Sequence, residues 1–260
     1  MTRHRHRDRH RHRDREAPPL RELAEQALSS VERGYDLLAP KFDLTPYRTP
    51  DPVLDALTEA LRQHGPFTAA LDVCCGTGAG VGALRRAGAA RVVGLDFSAG
   101  MLDQARAAFP EGVGWVRADA RALPFAPATF DLAISLGAFG HFLPRERPAL
   151  FAGIRAALGP GGRFVFPMAA PPRVGSLPYW ALWGFDAAMR LRNAVRRPPF
   201  VMYYRTFRLP DVRRELTAAG FTVRIEPLPT LGRRADGTVR CALVVAEVEG
   251  ADGVTGATGA

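Results

Sequence analysis

Residues 71–80 read "LDVCCGTGAG": an acid, two adjacent cysteines and three glycines in ten positions, with "TAA" before them and "VGALRRAGA" after. Three readings compete for this stretch: a redox pair, a metal site, or a loop that holds a ligand against bare backbone. Neighbouring α-carbons lie about 3.8 Å apart, whereas a disulfide wants roughly 4.4–6.8 Å, so Cys74 and Cys75 are not expected to bridge each other. The third cysteine, Cys241, is far along the chain, and three thiols without a His or Cys at ligand spacing make no zinc pattern. No metal is expected. Cysteine otherwise packs as a small apolar residue, so the pair reads as a compact strand end. What remains is a glycine loop between a strand and a helix. There the backbone can approach a ligand closely, and the helix N-terminus offers free N–H groups and a partial positive charge.

The surroundings support that placement. "TAALDVCC" is a short buried strand, "VGALRRAGA" a helix and "RVVGLDFS" the next strand, a βαβ unit of about thirty residues. "SAGMLDQARAAF" continues as helix with Ser98 as N-cap. "GVGWVRADA" and "FDLAISLG" follow as strands, "PRERPALFAGIRAAL" as helix and "GRFVFPM" as strand. This alternation predicts an α/β fold with a parallel sheet covered on both faces. Two helices precede it, one from Leu20 in "LRELAEQALSSVERGYDLLA" and one in "DPVLDALTEALRQHG", closed by Gly65. After Met168 the alternation breaks into a stretch rich in Pro, Arg and aromatics, residues 169–208, before "LPDVRRELTAAG" resumes as helix and "FTVRIEPL" and "CALVVAEVE" as strands.

At 260 residues and 47% hydrophobic content the chain can bury one sizeable core. Asp131 interrupts its most apolar stretch, so no ~20-residue membrane span is predicted, and no apolar h-region follows the charged start. A soluble, cytoplasmic protein is expected. The net charge of +9 hints at nucleic acid, but seven arginines against three acids in residues 1–16 supply +4 of it, leaving +5 for the rest. That Arg/His-rich tail, residues 1–19, has almost nothing apolar with which to join a core and is read as disordered, as is the Gly/Ala/Thr-rich end, 251–260; residues 20–250 form the domain. Nucleic acid is not expected as a partner.

The acids narrow the ligand. A dinucleotide fingerprint wants G-x-G-x-x-G, but counting from Gly76 gives Gly78 and then Val81, which weakens a nicotinamide reading. Asp96 ends the second strand about twenty residues after the loop, where a carboxylate can accept two ribose hydroxyls. An adenosine-like ligand is favoured.

"LDVCCGTGAG", "GLDFS", "ADARALPF", "FDLAISLGAFGHF" and "LGPGGRFVF" stand in the order and spacing of class I S-adenosylmethionine-dependent methyltransferases. Residues 30–168 most resemble the small-molecule branch similar to quinone-biosynthesis (type 11) methyltransferases. The resemblance implies a Rossmann-like, doubly wound, mostly parallel seven-stranded sheet with N-terminal helices and a lid insertion after the fifth strand, and S-adenosylmethionine as cofactor. It implies that Asp72, Gly76, Thr77 and Gly78 form the loop for the methionine moiety and that Asp96 binds the ribose. Phe97 and Met101 would flank the adenine, Asp119 and the Ala120 amide would meet its amino group, and Ser135 and Leu136 would form the floor near the methionine. Cys74 stands where the family has its first loop glycine. "YDLLAPKFD", residues 35–43, resembles the segment that closes over the cofactor, with Tyr35 on the acceptor side and Arg48 either a partner for the cofactor carboxylate or a plain surface arginine.

A sulfonium methyl is already activated, so alignment and exclusion of water dominate, while an oxygen or carbon acid acceptor must also lose a proton. His141, after the fourth strand, is the candidate base, against the alternative of a packing residue at a helix start. The lid carries Tyr179, Trp180, Trp183 and Phe185, followed by arginines. Trp180 and Trp183 suit a lipophilic or aromatic small-molecule acceptor, the arginines an acidic group or an anionic membrane surface; a cap packed on the sheet is the alternative. A cofactor-binding regulatory or RNA-associated protein and a nicotinamide-dependent oxidoreductase are the rival functions. The acceptor, the methylated atom and the oligomeric state are left open.

Overall fold

The computed structural model describes residues 31–45, 47–196 and 209–250. The Arg/His-rich tail, the helical pattern from Leu20 as far as residue 30, the end of the lid (197–208) and the C-terminal stretch 251–260 lie outside the described residues. Helices α1 (Val31–Leu38) and α2 (Asp51–His64) lead into β1 (Ala69–Val73), α3 (Ala79–Arg86), β2 (Arg91–Asp96), α4 (Ala99–Ala108), β3 (Val113–Arg117) and β4 (Phe130–Ile134). Then come α5 (Arg147–Ala157), β5 (Leu158–Ala169), α6 (Leu177–Arg196), α7 (Leu209–Ala218), β6 (Phe221–Pro227) and β7 (Cys241–Val248).

Seven strands form one sheet in the order β3-β2-β1-β4-β5-β7-β6. The first five pair in parallel, with Asp72 of β1 opposite Gly94 of β2 and Ile134 of β4. β7 enters antiparallel between β5 and β6, with Val165 opposite Val245 and Ile225 opposite Val244. A strand between two neighbours and under helices on both faces must be apolar throughout, and Leu243, Val244, Val245 and Ala246 of β7 are fully buried.

One face of the sheet packs Leu57 and Leu61 of α2 and Val81 and Leu84 of α3 against Ala70, Val92 and Leu132. The other packs Leu150, Phe151 and Ile154 of α5 and Val212 and Leu216 of α7 against Leu71, Val73 and Phe164. Helical spacing gives each helix one buried stripe, as in Leu54, Leu57 and Leu61. Phe139 and Phe166 lie 4.7 Å apart and Phe164 and Phe166 5.0 Å apart between ring centroids; burying each such side chain contributes about 1.5–3 kcal/mol.

Two local readings differ from the structure. β5 begins eleven residues before Ala169, at Leu158, taking the "GPGG" stretch into the strand through a register shift against β4. Gly65 closes α2 as expected, its amide donating to the Leu61 carbonyl at 3.0 Å. The irregular composition of the lid conceals a helix of 20 residues, α6, begun by Ser176, whose hydroxyl accepts from the Tyr179 amide and whose carbonyl accepts from the Trp180 amide.

Candidate functional site

The carboxyl ends of β1, β2, β3 and β4 lie side by side, and the loops leaving them gather the acids of the sequence motifs. After β1 the chain turns sharply: the Cys75 amide donates to the Leu95 carbonyl at 2.9 Å, and the Gly78 amide to the Cys75 carbonyl at 2.9 Å. Gly76 and Gly78 hold φ values of +52° and +92°, where a side chain is strained. Cys74 holds φ +61° as well, so the cysteine in place of the first glycine occupies a left-handed backbone that costs an L-residue about 1–2 kcal/mol. Burial, then the neighbouring Asp96, pushes its thiol well above the usual range, which leaves a neutral, packed cysteine.

Asp72 points from β1 at the start of α3. A Cβ on Gly80 would stand 2.3 Å from Asp72 Oδ2, so only glycine admits the carboxylate there. The side chain is buried, and neither oxygen has a protein partner at hydrogen-bonding geometry. Desolvation, followed by the charge of Asp96, holds its pKa well above the ordinary carboxylate value, with the Val81 amide pulling the other way.

Asp96 ends β2 and fastens two loops. Its Oδ2 accepts from the Gly76 amide at 2.9 Å and its Oδ1 from the Ser98 amide at 2.9 Å. Each oxygen therefore keeps a lone pair in a buried position. Desolvation raises its pKa, against the Ser98, Gly76 and Phe97 N–H groups that lower it, of which the first two lie at hydrogen-bonding geometry. Ser98 caps α4 by accepting from the Met101 amide at 3.1 Å, and its hydroxyl donates to Asp36 Oδ1 at 2.6 Å. Asp36 also takes the Gly100 amide at 2.9 Å, so α1 presses on the start of α4 where a Cβ at Gly100 would meet the Asp36 backbone at 3.0 Å.

A second clasp joins Thr77 Oγ1 to Asp43 Oδ1 at 2.7 Å. Arg48 holds Asp51 at 2.7 Å and lies 3.9 Å from Asp43, which ties it to the loop through a protein carboxylate. Tyr35 stands edge-on to Phe97 at 6.2 Å and tilted to Phe42 at 6.3 Å; burial drives its phenol pKa upward.

Asp119 follows β3 and caps a short 3-10 turn, Ala120–Ala122. The Arg121 amide donates to its Oδ1 at 2.9 Å, and the Arg121 guanidinium forks onto both its oxygens. That contact holds the Asp119 pKa below the ordinary value. The same guanidinium reaches Glu146 at 2.8 Å, and Glu146 accepts the Leu143 amide at 2.8 Å. Ser135 donates to the Val73 carbonyl at 2.8 Å, and Leu136 packs on the α2–α3 side of the sheet. The His141 backbone ends a short 3-10 turn from Ala138, while its side chain lies outside the described residues. Trp180 and Trp183 are half-exposed on α6 and stack edge to face at 6.1 Å. No hydrogen bond or ring contact among the described residues joins them to the cofactor loops. Among those residues no three His, Cys, Asp or Glu gather as a metal site.

A methyltransferase-domain family model matches residues 70–162. The ubiquinone/menaquinone biosynthesis C-methyltransferase of Roseobacter denitrificans is 32% identical over 176 residues, 64% of this chain and 67% of that protein. The chain belongs to the class I S-adenosylmethionine-dependent methyltransferases. The 2-phytyl-1,4-naphthoquinone methyltransferase of Thermosynechococcus vestitus is 39% identical over 44% of this chain and 52% of its own length. Several curated relatives are likewise spanned over only about half their length. An S-adenosylmethionine-dependent methyltransferase of known structure from Mesorhizobium loti superposes with a TM-score of 0.51 at 26% identity, covering 75% of this chain and 99% of that one.

The methyltransferase cofactor fits the residues present. Asp96 offers one spare lone pair on each oxygen to a vicinal diol, and the Asp72 carboxylate is a buried charge without a protein partner beside the loop. Met101, five residues after Asp96, and Ala120, next to Asp119, are buried. Four residues of this arrangement were not singled out by motif reading: Asp36, Asp43, Arg121 and Glu146. Asp36 and Asp43 lie within the flagged "YDLLAPKFD" segment, and Arg121 within "ADARALPF"; nothing local marked Glu146.

Proposed function

We propose that the protein transfers a methyl group from S-adenosylmethionine to a small acceptor of lipophilic or aromatic character. The observation that carries this reading is the buried Asp96 carboxylate, fixed by the Gly76 and Ser98 amides at 2.9 Å each with a lone pair to spare on both oxygens. When bound, S-adenosylmethionine supplies a methyl already activated on a sulfonium. The chain's contribution is to bind, orient and exclude water, and positioning is worth up to roughly 7–11 kcal/mol in favourable systems.

Asp96 accepts the ribose hydroxyls. Asp119, held ionised by Arg121, accepts the adenine amino group with the Ala120 amide beside it, and Phe97 and Met101 flank the ring. Asp72 balances the cationic end of the methionine moiety, with Gly76, Thr77 and Gly78 giving it room and Ser135 and Leu136 beneath. Tyr35, on the segment that the Asp36 and Asp43 clasps hold down, borders the acceptor. His141 takes the acceptor proton on an imidazole nitrogen.

One relative is named a ubiquinone/menaquinone biosynthesis C-methyltransferase and another a 2-phytyl-1,4-naphthoquinone methyltransferase, which supports a small, lipophilic acceptor. Incubation with methyl-labelled S-adenosylmethionine and a cell extract split into organic-soluble, RNA and protein fractions tests the reading. Label is expected in an organic-soluble product. Label confined to RNA would refute the small acceptor, and no label in any fraction would refute transfer.

A further inference from the structure

The helix α6 inverts the usual arrangement of a surface helix. Leu177, Trp180, Leu191 and Val195 are 84%, 54%, 67% and 72% exposed, while its single acid, Asp186, is buried. Every exposed side chain described on this helix is apolar or glycine. At 100° per residue, Leu177, Ala181, Gly184, Ala188, Leu191 and Val195 form one outward stripe opposite Asp186. Trp180 and Trp183 widen that stripe on one side and Phe185 on the other, giving an apolar arc of roughly 200°.

Such an arc is too wide for the narrow seam of a two-helix contact. A stripe about 28 Å long and 10 Å wide offers a second copy roughly 300 Å², well under the ~800 Å² per partner of a stable interface. In sequence the second half of α6 carries Arg190, Arg192 and Arg196 and no acid, the charge complement of an anionic surface. Trp and Tyr prefer the boundary between headgroups and acyl chains. No described helix is long and apolar enough to cross a membrane, so the geometry is that of a helix lying in the interface.

We propose that α6 docks the protein on the surface of an anionic phospholipid bilayer, burying the Leu177–Val195 stripe with Trp180 and Trp183 at headgroup depth. This does not depend on the methyl-transfer reading, because the contact is made by a helix outside the cofactor loops.

The test uses the full-length protein with phosphatidylcholine vesicles, with and without a third of phosphatidylglycerol, each prepared with and without bromine on the acyl chains. At low salt, binding to the anionic vesicles should be at least tenfold stronger than to the neutral ones, and bromolipid should quench tryptophan fluorescence. Leu191→Glu and Val195→Glu should each reduce binding about tenfold or more, with S-adenosylhomocysteine binding unaltered. Quenching needs no variant, so it decides the matter even if a substitution harms folding. Co-sedimentation without quenching would mean that the Arg/His tail alone holds the vesicle and would overturn the proposal. So would a concentration-dependent dimer abolished by Leu191→Glu in protein that ignores vesicles. Stripe substitutions that lower the melting temperature of a protein that vesicles do not quench would assign the face to residues 197–208 instead.

Discussion

Asp72→Asn should make the ligand-free protein more stable and its cofactor binding worse. The carboxylate is buried, has no protein partner at hydrogen-bonding geometry, and has a pKa raised chiefly by desolvation against a smaller opposing effect of the Val81 amide. A buried, unsatisfied polar group costs about 1–3 kcal/mol, more when charged. The start of α3, against which it lies, returns only about 0.3–1 kcal/mol. The amide keeps the shape and removes the charge, so a net gain of about 1–2 kcal/mol follows, or a rise of roughly 2–5 °C for a chain of this size. The pH dependence has a definite sign. A raised folded-state pKa means that the folded protein holds this proton more tightly than the unfolded one, so the group's contribution is full below the ordinary carboxylate range and is lost as pH rises toward the folded value. The advantage of Asp72→Asn should therefore be absent in acid and grow with pH up to neutrality. Calorimetric melting from pH 4.5 to 8, with and without S-adenosylhomocysteine, measures both effects. A lower melting temperature at pH 7.5, or an undiminished shift on adding S-adenosylhomocysteine, would refute the reasoning that this charge is retained for the ligand.

Arg121→Met should leave S-adenosylhomocysteine affinity little changed above pH 7 but make it fall at a higher pH on acidification, because Arg121 is the main cause of the low Asp119 pKa; binding titrations across pH check this, and an unmoved acid limb would contradict it. Cys74→Gly should hold the melting temperature within about 2 °C, relief of the φ +61° strain offsetting lost packing, whereas Cys74→Val should lower it by about 2–5 °C. Equal effects of the two would mean that the backbone there is unstrained. Asp36→Ala, which removes the acceptor for the Ser98 hydroxyl and the Gly100 amide, should speed S-adenosylhomocysteine dissociation about tenfold in stopped flow while Asp96 remains in place; an unchanged rate would show that α1 does not retain the ligand.

The elements legible in the sequence were those with local signals. The apolar run ending in Asp72, the glycines after it and the Ser98 cap place β1, α3 and α4, because the period of the apolar residues and the turn chemistry agree there. Asp96 and Asp119 were readable because strand ends in a parallel sheet fall at a regular interval. The clasps were not. Asp36 meets Ser98 across 62 positions and Asp43 meets Thr77 across 34, and no local pattern records a contact at that separation. Asp119 reads as a free acceptor in "ADARALPF" until folding brings the guanidinium two residues on back over it. Cys74 shows the converse: a family glycine position can be recognised, yet whether a cysteine keeps the left-handed backbone depends on the surrounding packing. The lid's composition gave its aromatics, but only the buried Asp186 fixes which side of α6 faces outward.

The most direct measurement is the calorimetric binding of S-adenosylhomocysteine and NADH to the wild-type protein and to Asp96→Ala. The account predicts one molecule of S-adenosylhomocysteine per chain and no NADH. Asp96→Ala should bind at least about 100-fold more weakly, since hydrogen bonds to a charged group are worth about 1.5–3 kcal/mol each. Preferential binding of NADH, or S-adenosylhomocysteine binding that survives the loss of Asp96 in a folded variant, would contradict it.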